Sequence, residues 1–245
     1  MIKRIFDITF SLIGIILLSP LFIPCLFLVW VQDFHSPFYI APRVGKNGKV
    51  FKMVKIRSMI INADKTGVDS TSSDDMRITS VGKVIRKLKL DELSQLWNVL
   101  IGDMSLVGPR PNVKSETDLY TKIEKNLLNV KPGITDFSSI VFSDEGDILS
   151  GSDDPDLLYN QLIRPWKSRL SLFYIEESGL IIDIKLILLT VLSILNREKA
   201  LQALSKILKS SGADDKLIQI SKRQDKLLPY PPPGSDSIVY DRFSE

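Results

Sequence analysis

Hydrophobic residues gather in two long segments of the chain. Residues 8–31 contain no charged side chain and read ITFSLIGIILLSPLFIPCLFLVWV. A run of this length predicts a helix that could cross the hydrocarbon core of a bilayer. The second segment, residues 179–195, is interrupted by Asp183 and Lys185. It is therefore too short to span, and it predicts a helix that is either buried or lies in the membrane interface.

The first segment is interrupted near its middle by Ser19 and Pro20. Proline inside a helix removes a backbone hydrogen bond, and a nearby serine hydroxyl can satisfy a carbonyl that the proline frees. Basic residues flank the segment on both sides, and the positive-inside rule places both flanks in the cytoplasm. The pattern leaves two topologies open: a helix that bends at the proline and returns to the same face, and a kinked helix that spans. A cleavable signal fits less well, because no small-residue cleavage site follows.

Between these segments the pattern predicts an α/β fold, mostly helical with a small β-hairpin or sheet. Residues 50–59 alternate as a strand does and follow a turn at 45–48, and the alternation puts Lys55 and Arg57 on one side. Thr79 or Ser80 is a candidate cap for a short helix.

Further along, the pattern predicts helices over 113–128 and 157–174. Residues 143–156 are acidic and predict a solvated loop. After residue 195 the chain becomes polar, with a short helix to about residue 210 and an extended, proline-rich tail at 228–234.

Composition narrows the class of protein. The 245 residues carry a modest net charge of +3, and we predict no nucleic-acid partner. Cys25 is the only cysteine, so an intramolecular disulfide or a cysteine metal cluster is excluded. The only histidine, His35, has no neighbours that would support Ser-His-Asp catalysis.

The stretch from 84 to 111, VIRKLKLDELSQLWNVLIGDMSLVGPRP, is the candidate for chemistry. Asp91 and Glu92 stand at the predicted start of an amphipathic helix, Arg86 precedes them, and a Gly-Pro-Arg-Pro turn carrying Arg110 follows. One interpretation is structural, since Asp is a common N-cap and Glu in the first turn suits the helix dipole. The other is a site for an anionic, phosphorylated substrate.

Short motifs follow one another along the chain: KRIFD at 3–7, SP at 19–20, RVG at 43–45, FK at 51–52, KIRSM at 55–59, LDEL at 90–93, GDMS at 102–105, VGPRP at 107–111 and KPGIT at 131–135. Each motif alone is weak. In this order they make the chain resemble the bacterial sugar transferases, the small monotopic phosphoglycosyl transferases. The resemblance covers roughly residues 3–195.

The resemblance implies that Asp91 is a nucleophile that attacks the sugar-bearing phosphate of a UDP-sugar, expels UMP and forms an aspartyl phosphosugar. Polyprenyl (undecaprenyl) phosphate would then accept the sugar 1-phosphate, in the first membrane step of making a surface glycan such as O-antigen, capsule, exopolysaccharide or glycoprotein glycan. Glu92 would hold Mg²⁺, and the substrate-binding residues would be Lys55, Arg57, Arg86, Arg110, Lys131 and Asp183. The alternative is a non-catalytic, membrane-anchored interaction domain.

The resemblance also implies a re-entrant helix broken at Ser19-Pro20, with the protein on the cytosolic face of the bacterial inner membrane. The predicted divisions are a membrane helix-hairpin at 1–35, a catalytic domain with interfacial helices at 36–195, and a helix with a proline-rich tail at 196–245. Membrane lipid is thus a predicted partner, and the tail is a candidate surface for a homodimer or for downstream glycosyltransferases. After Ile134-Thr135 the chain departs from the family pattern, so the identity of the sugar stays open.

Overall fold

The computed structural model describes residues 1–241. The α-helices, numbered in chain order, are α1 (Ile2–Val31), α2 (Ser80–Lys87), α3 (Gln95–Ile101), α4 (Lys114–Asp118), α5 (Phe137–Val141), α6 (Glu145–Ile148), α7 (Pro155–Leu158), α8 (Arg164–Glu177), α9 (Leu180–Leu195), α10 (Arg197–Ser210) and α11 (Asp215–Lys222). The strands are β1 (Phe38–Val44), β2 (Val50–Ile56), β3 (Ser105–Val107) and β4 (Gly133–Thr135). Short 3₁₀ turns lie at Lys46–Gly48, Ala63–Thr66, Leu90–Glu92 and Glu124–Asn129, and a π-helical turn lies at Tyr159–Ile163. The predicted fold class, mostly helical with small sheets, is confirmed.

Two small β-sheets position residues 84–111, the stretch that is the candidate for chemistry. Strands β1 and β2 form the predicted antiparallel hairpin. Strands β3 and β4 pair in parallel, so the KPGIT motif at 131–135 ends as a strand. The two backbones approach so closely at Gly108 and Gly133 that a methyl group on Gly133 would lie 2.1 Å from the Gly108 nitrogen. The Gly133 amide also donates to the Pro109 carbonyl at 2.9 Å. This contact holds the turn that carries Arg110.

Helix α1 is continuous, with Pro20 and Pro24 inside it. Because residue 20 lacks an N–H, the Ile16 carbonyl loses its helical partner, and the Ser19 hydroxyl donates to that carbonyl at 2.7 Å. The serine therefore acts as its position predicts. Among the described residues, α1 is the one helix that is long and apolar enough to cross a membrane. The re-entrant bend stays a prediction.

Both ends of α1 pack against the same body of the protein. Near its start, the Arg4 guanidinium donates to the carbonyls of Val99 and Leu100 at 2.5 and 2.7 Å, at the end of α3. Near its end, Val29 is fully buried in a cluster with Ile85 and Leu90. A straight helix of 30 residues is about 45 Å long, so the contacts extend along most of α1.

Two stretches differ from prediction. The helix predicted over 113–128 is divided, because Thr121 and Glu124 form a reciprocal capping box that begins a new turn: each backbone amide donates to the other's side chain, at 3.0 and 3.1 Å. The acidic stretch 143–156 is not a solvated loop. It folds into α6 and the start of α7, where Asp154 caps the helix by accepting from the Leu157 amide at 3.0 Å.

The C-terminal part is ordered against the core. Helix α9 buries Leu186 on one side and exposes an apolar face that includes Ile181 and Leu188 on the other. One side therefore packs in the core, and the other is free to contact a membrane interface. Helix α10 confirms the predicted short helix, whereas α11 was not predicted. The proline-rich tail is extended and runs along α8, where Tyr230 stacks on Trp166 with ring centroids 4.4 Å apart. The partners of the tail stay a prediction.

Candidate active site

Asp91 and Glu92 lie in the 3₁₀ turn Leu90–Glu92, and α3 begins only at Gln95. The sequence predicts both at the start of that helix, but they lie in a 3₁₀ turn just before it, and Leu93 and Ser94 link the two with helical backbone angles. Lys89 adopts a left-handed backbone, φ 54°, and this separates the turn from α2. The Ser94 hydroxyl donates to the Val54 carbonyl at 2.9 Å and so ties the turn to β2. Asp91 therefore does not cap α3, whose N-cap position is Ser94.

The carboxylate of Asp91 faces Lys55. Asp91 is buried, with 9% of its surface exposed, and the Lys55 Nζ lies 3.9 Å from its Oδ2. Burial raises the pKa of Asp91, while the positive charges of Lys55 and Arg86 oppose that rise. Burial lowers the pKa of Lys55 to about 8. Each group thus favours the charged form of the other in a partly dehydrated place.

Glu92 pairs with Arg110, whose Nη1 lies 2.6 Å from the Glu92 Oε1. Burial alone would raise the pKa of Glu92, but the charges of Arg110, Lys55 and Lys89 outweigh it and bring the pKa to about 2. The same pairing raises the pKa of Arg110. Glu92 is therefore an anion at neutral pH, and the Asp91 carboxyl lies next to it among the same cations.

The structure brings five of the predicted residues together: Asp91, Glu92, Lys55, Arg86 and Arg110. The other predicted substrate-binding residues, Arg57, Lys131 and Asp183, make contacts elsewhere.

Arg57 binds both carboxylate oxygens of Asp33 at 2.5 and 2.7 Å, close to the end of α1. Arg57 does not lie beside Lys55, because β2 ends at Ile56 and the strand alternation therefore does not reach residue 57. Lys131 lies beside Gly102 and the Arg4 guanidinium, since a methyl group on Gly102 would be 3.5 Å from the Lys131 Nζ and 3.2 Å from Arg4.

Asp183 is almost fully buried, with 1% of its surface exposed. Its Oδ2 lies 2.5 Å from the Lys3 Nζ, and its Oδ1 accepts from the Tyr174 hydroxyl at 2.7 Å. An acid in a mostly apolar helix predicts a basic partner, and the structure confirms one in Lys3. The pair joins α9 to the first turn of α1.

The sequence analysis missed a group of polar residues next to Arg110: Glu116, Glu145, Tyr159 and Lys167. Glu145 hydrogen-bonds to Lys167, and its charge acts on Arg110. Glu145 stands in the acidic stretch that the sequence predicts to be solvated. The sequence did hold a clue to Glu145: many acidic residues gather at 143–156, and the candidate site, which is basic, would attract them.

The donor set suits magnesium only in company with substrate. In the part of the chain that the structure describes, no three or more His, Cys, Asp or Glu side chains gather to hold a metal. Mg²⁺ is commonly held by one or two carboxylates together with substrate phosphates and water. Glu92, ionised at neutral pH and adjacent to Asp91, fits that requirement.

Comparison with known proteins shows which family and which relatives the chain is similar to. The family profile described as bacterial sugar transferase matches residues 1–197. An exopolysaccharide production protein of Sinorhizobium fredii is 41% identical over 148 residues, which are 54% of this chain and 66% of the relative. A UDP-N-acetylgalactosamine-undecaprenyl-phosphate N-acetylgalactosaminephosphotransferase of Aeromonas hydrophila is 34% identical over 199 residues, 79% of this chain and 44% of the relative.

An undecaprenyl-phosphate galactose phosphotransferase of Salmonella typhimurium is 35% identical over 214 residues, which are 81% of this chain and 41% of the relative. The chain thus spans just under two thirds of the first of these three relatives and less than half of the other two.

Proposed function

The chain belongs to the bacterial sugar transferase family, and on that premise we propose that it transfers a sugar 1-phosphate from a UDP-sugar to polyprenyl phosphate. The observation that carries the proposal is the buried Asp91 carboxylate, which faces Lys55 and lies among further cations. Carboxylates serve as nucleophiles in phosphoryl transfer, and anionic phosphates need positive charge around them.

In the proposed reaction, an Asp91 oxygen attacks the sugar-bearing phosphorus of the donor. A bond forms between that oxygen and phosphorus, the bond to the bridging oxygen breaks, and UMP leaves with the electron pair. An oxygen of polyprenyl phosphate then attacks the same phosphorus and releases the Asp91 carboxylate. Lys55, Arg86 and Arg110 supply positive charge for the phosphate oxygens, and arginine suits this role because its planar fork matches phosphate. Mg²⁺, held by Glu92 and the phosphates, would supply further positive charge.

The packing of α1 supports a location at one face of the membrane. A helix that spans the bilayer would carry one end away from the body of the protein, whereas both ends of α1 contact it. The exposed apolar face of α9 would add a second contact with lipid. We therefore propose a re-entrant α1 and a site at the cytosolic surface of the bacterial inner membrane, where a soluble donor and a lipid-borne acceptor meet.

The alternative function, a non-catalytic anchored domain, loses its main support. It requires Asp91 and Glu92 to be explained as helix caps, and α3 begins after both of them. Burying two neighbouring carboxylates beside lysine and arginine side chains is costly for a purely structural purpose.

Assay of UMP release tests the proposed function. The full chain in detergent is incubated with undecaprenyl phosphate and each of a panel of UDP-sugars, including UDP-galactose and UDP-N-acetylgalactosamine, the sugars that the relatives' names suggest. We expect steady UMP release with at least one donor, loss of turnover on chelation and recovery with Mg²⁺. Omitting the acceptor should limit release to no more than one UMP per active site. Absence of release across the whole panel would sink the proposal.

The pKa of Lys55 predicts the alkaline limb of activity. Lys55 is charged below its pKa of about 8 and loses its proton as the pH rises through that value, so the phosphate loses a cation. We expect kcat/KM for the UDP-sugar to fall as the pH passes about 8, because this parameter reports groups of the free enzyme. Lys55→Arg should move the fall to higher pH, since arginine keeps its charge. An identical alkaline limb in wild type and variant would contradict the assignment.

A further inference from the structure

A second polar group adjoins the Arg110 side of the site. We call it the acidic subsite and define it by four side chains: Glu116 of α4, Glu145 of α6, Tyr159 of the π-helical turn and Lys167 of α8. Lys167 donates a hydrogen bond to Glu145, and its Nζ lies 5.4 Å from the centroid of the Tyr159 ring. Glu145 and Arg110 shift each other's pKa, so the subsite is continuous with the catalytic carboxylates.

Tyr159 presents an unpartnered donor to this subsite. Only 6% of its surface is exposed, and its hydroxyl makes no hydrogen bond to another residue of the described chain. A phenol without a partner inside the described chain can donate a hydrogen bond to a ligand. Burial raises the pKa of Tyr159, the nearby charges of Glu116 and Glu145 add to that rise, and Lys167 stands over the ring. Tyr159 lies in a π-helical turn, and such turns are frequent at functional sites.

Glu116 is the second group without a partner. Its carboxylate is partly buried and makes no hydrogen bond or ion pair within residues 1–241. Burial, with the nearby charge of Glu145, raises its pKa to about 7. At neutral pH this group can therefore both accept a hydrogen bond and donate one.

The chemistry of the acidic subsite selects a neutral, hydroxyl-rich ligand. Its single ammonium is balanced by Glu145 and leaves no spare positive charge for a phosphate, so phosphates are better placed beside Lys55, Arg86 and Arg110. Carboxylates, a phenol and an amine together accept from and donate to alcohol groups. The part of a UDP-sugar that adjoins the transferred phosphate and carries such groups is the hexose.

We propose that the acidic subsite binds the hydroxyl groups of the donor's sugar and selects which UDP-sugar is used. This inference rests on the proposed function, because it takes the donor to be a UDP-sugar. Loss of one hydrogen bond to a buried group is enough to discriminate between epimers.

The test compares donors that differ at one hydroxyl. Dissociation constants of UDP-glucose, UDP-galactose and UMP are measured by titration of the full chain, and kcat/KM is measured for both sugars. Glu116→Gln and Tyr159→Phe keep the size of the side chain and remove one polar function. We expect each to change the ratio of the two UDP-sugar affinities by about tenfold, which corresponds to about 1.4 kcal/mol, and to leave UMP binding unchanged. Asp118→Asn, on the exposed face of the same helix α4, should leave the ratio unaltered.

The outcomes separate the two proposals. If the variants weaken both UDP-sugars and UMP by the same factor, the subsite serves the nucleotide and the inference is overturned. An unchanged ratio in both variants overturns it as well. If the ratio changes although wild-type protein releases no UMP with any donor, sugar recognition stands and the proposed transfer fails.

Discussion

Replacing Asp91 with asparagine is expected to reduce UMP release by on the order of 10⁴-fold or more, because it removes the attacking oxygen anion while keeping the shape of the side chain. The effect should be equally large without acceptor, since the first half of the proposed reaction already needs the nucleophile. Asparagine also leaves Lys55 without its counter-charge, so donor binding is expected to change much less than turnover. UMP release is the primary measurement. Intact mass should show a phosphosugar adduct on wild type and none on the variant.

Asp118→Asn is the matched control for this prediction. It makes the same chemical change on an exposed carboxylate, whose side chain is 59% exposed and paired with Lys114 one turn earlier. Turnover should stay at the wild-type level, and thermal unfolding of both variants should show that the fold is kept. Near-normal turnover of Asp91→Asn would refute the nucleophile and leave Glu92 as the acid to examine.

The sequence could predict those parts of the site that lie close together in the chain. Asp91, Glu92 and Arg110 stand within one short stretch, and the motif brings them together without knowledge of the fold. The hydrogen bond from Ser19 to the carbonyl that Pro20 leaves free is equally local, because that carbonyl lies one helical turn away. Lys55 could be predicted as a site residue because the strand alternation indicates the side on which it lies.

Contacts between distant parts of the chain could not be predicted. The pairing of β3 with β4 joins short segments that lack strand character, and its close approach at Gly108 and Gly133 has no local signal. The partner of Asp183 is 180 residues away in α1. Glu145 was missed for a statistical reason: acids in polar stretches are usually solvated, and only the fold shows that this one faces Arg110.

Replacing Glu124 with glutamine is expected to lower the free energy of unfolding by about 3–5 kcal/mol, because it leaves the Arg164 guanidinium buried without its counter-charge. Glu124 is fully buried and accepts from Arg164 Nε at 3.0 Å, Arg164 Nη2 at 2.6 Å and the Ser168 hydroxyl at 2.7 Å. A glutamine side chain replaces one of these acceptors with a donor, so repulsion is added to the lost charge. Arg164 begins α8 directly after the π-helical turn that carries Tyr159. The loss should therefore reach the acidic subsite as well as the fold.

The chain offers an exposed ion pair of similar length as a control. Lys114 and Asp118 form an ion pair of 2.7 Å, nearly the same length as the 2.6 Å pair of Arg164 and Glu124, but their side chains are 72% and 59% exposed. Water screens such a pair, so Asp118→Asn should cost less than about 0.5 kcal/mol. Denaturant unfolding of both variants measures the two costs side by side. Equal costs would show that burial does not set the strength of the Arg164 pair. A large difference, together with altered UDP-sugar preference in Glu124→Gln alone, would show that this buried pair holds α8 in the position that the sugar requires.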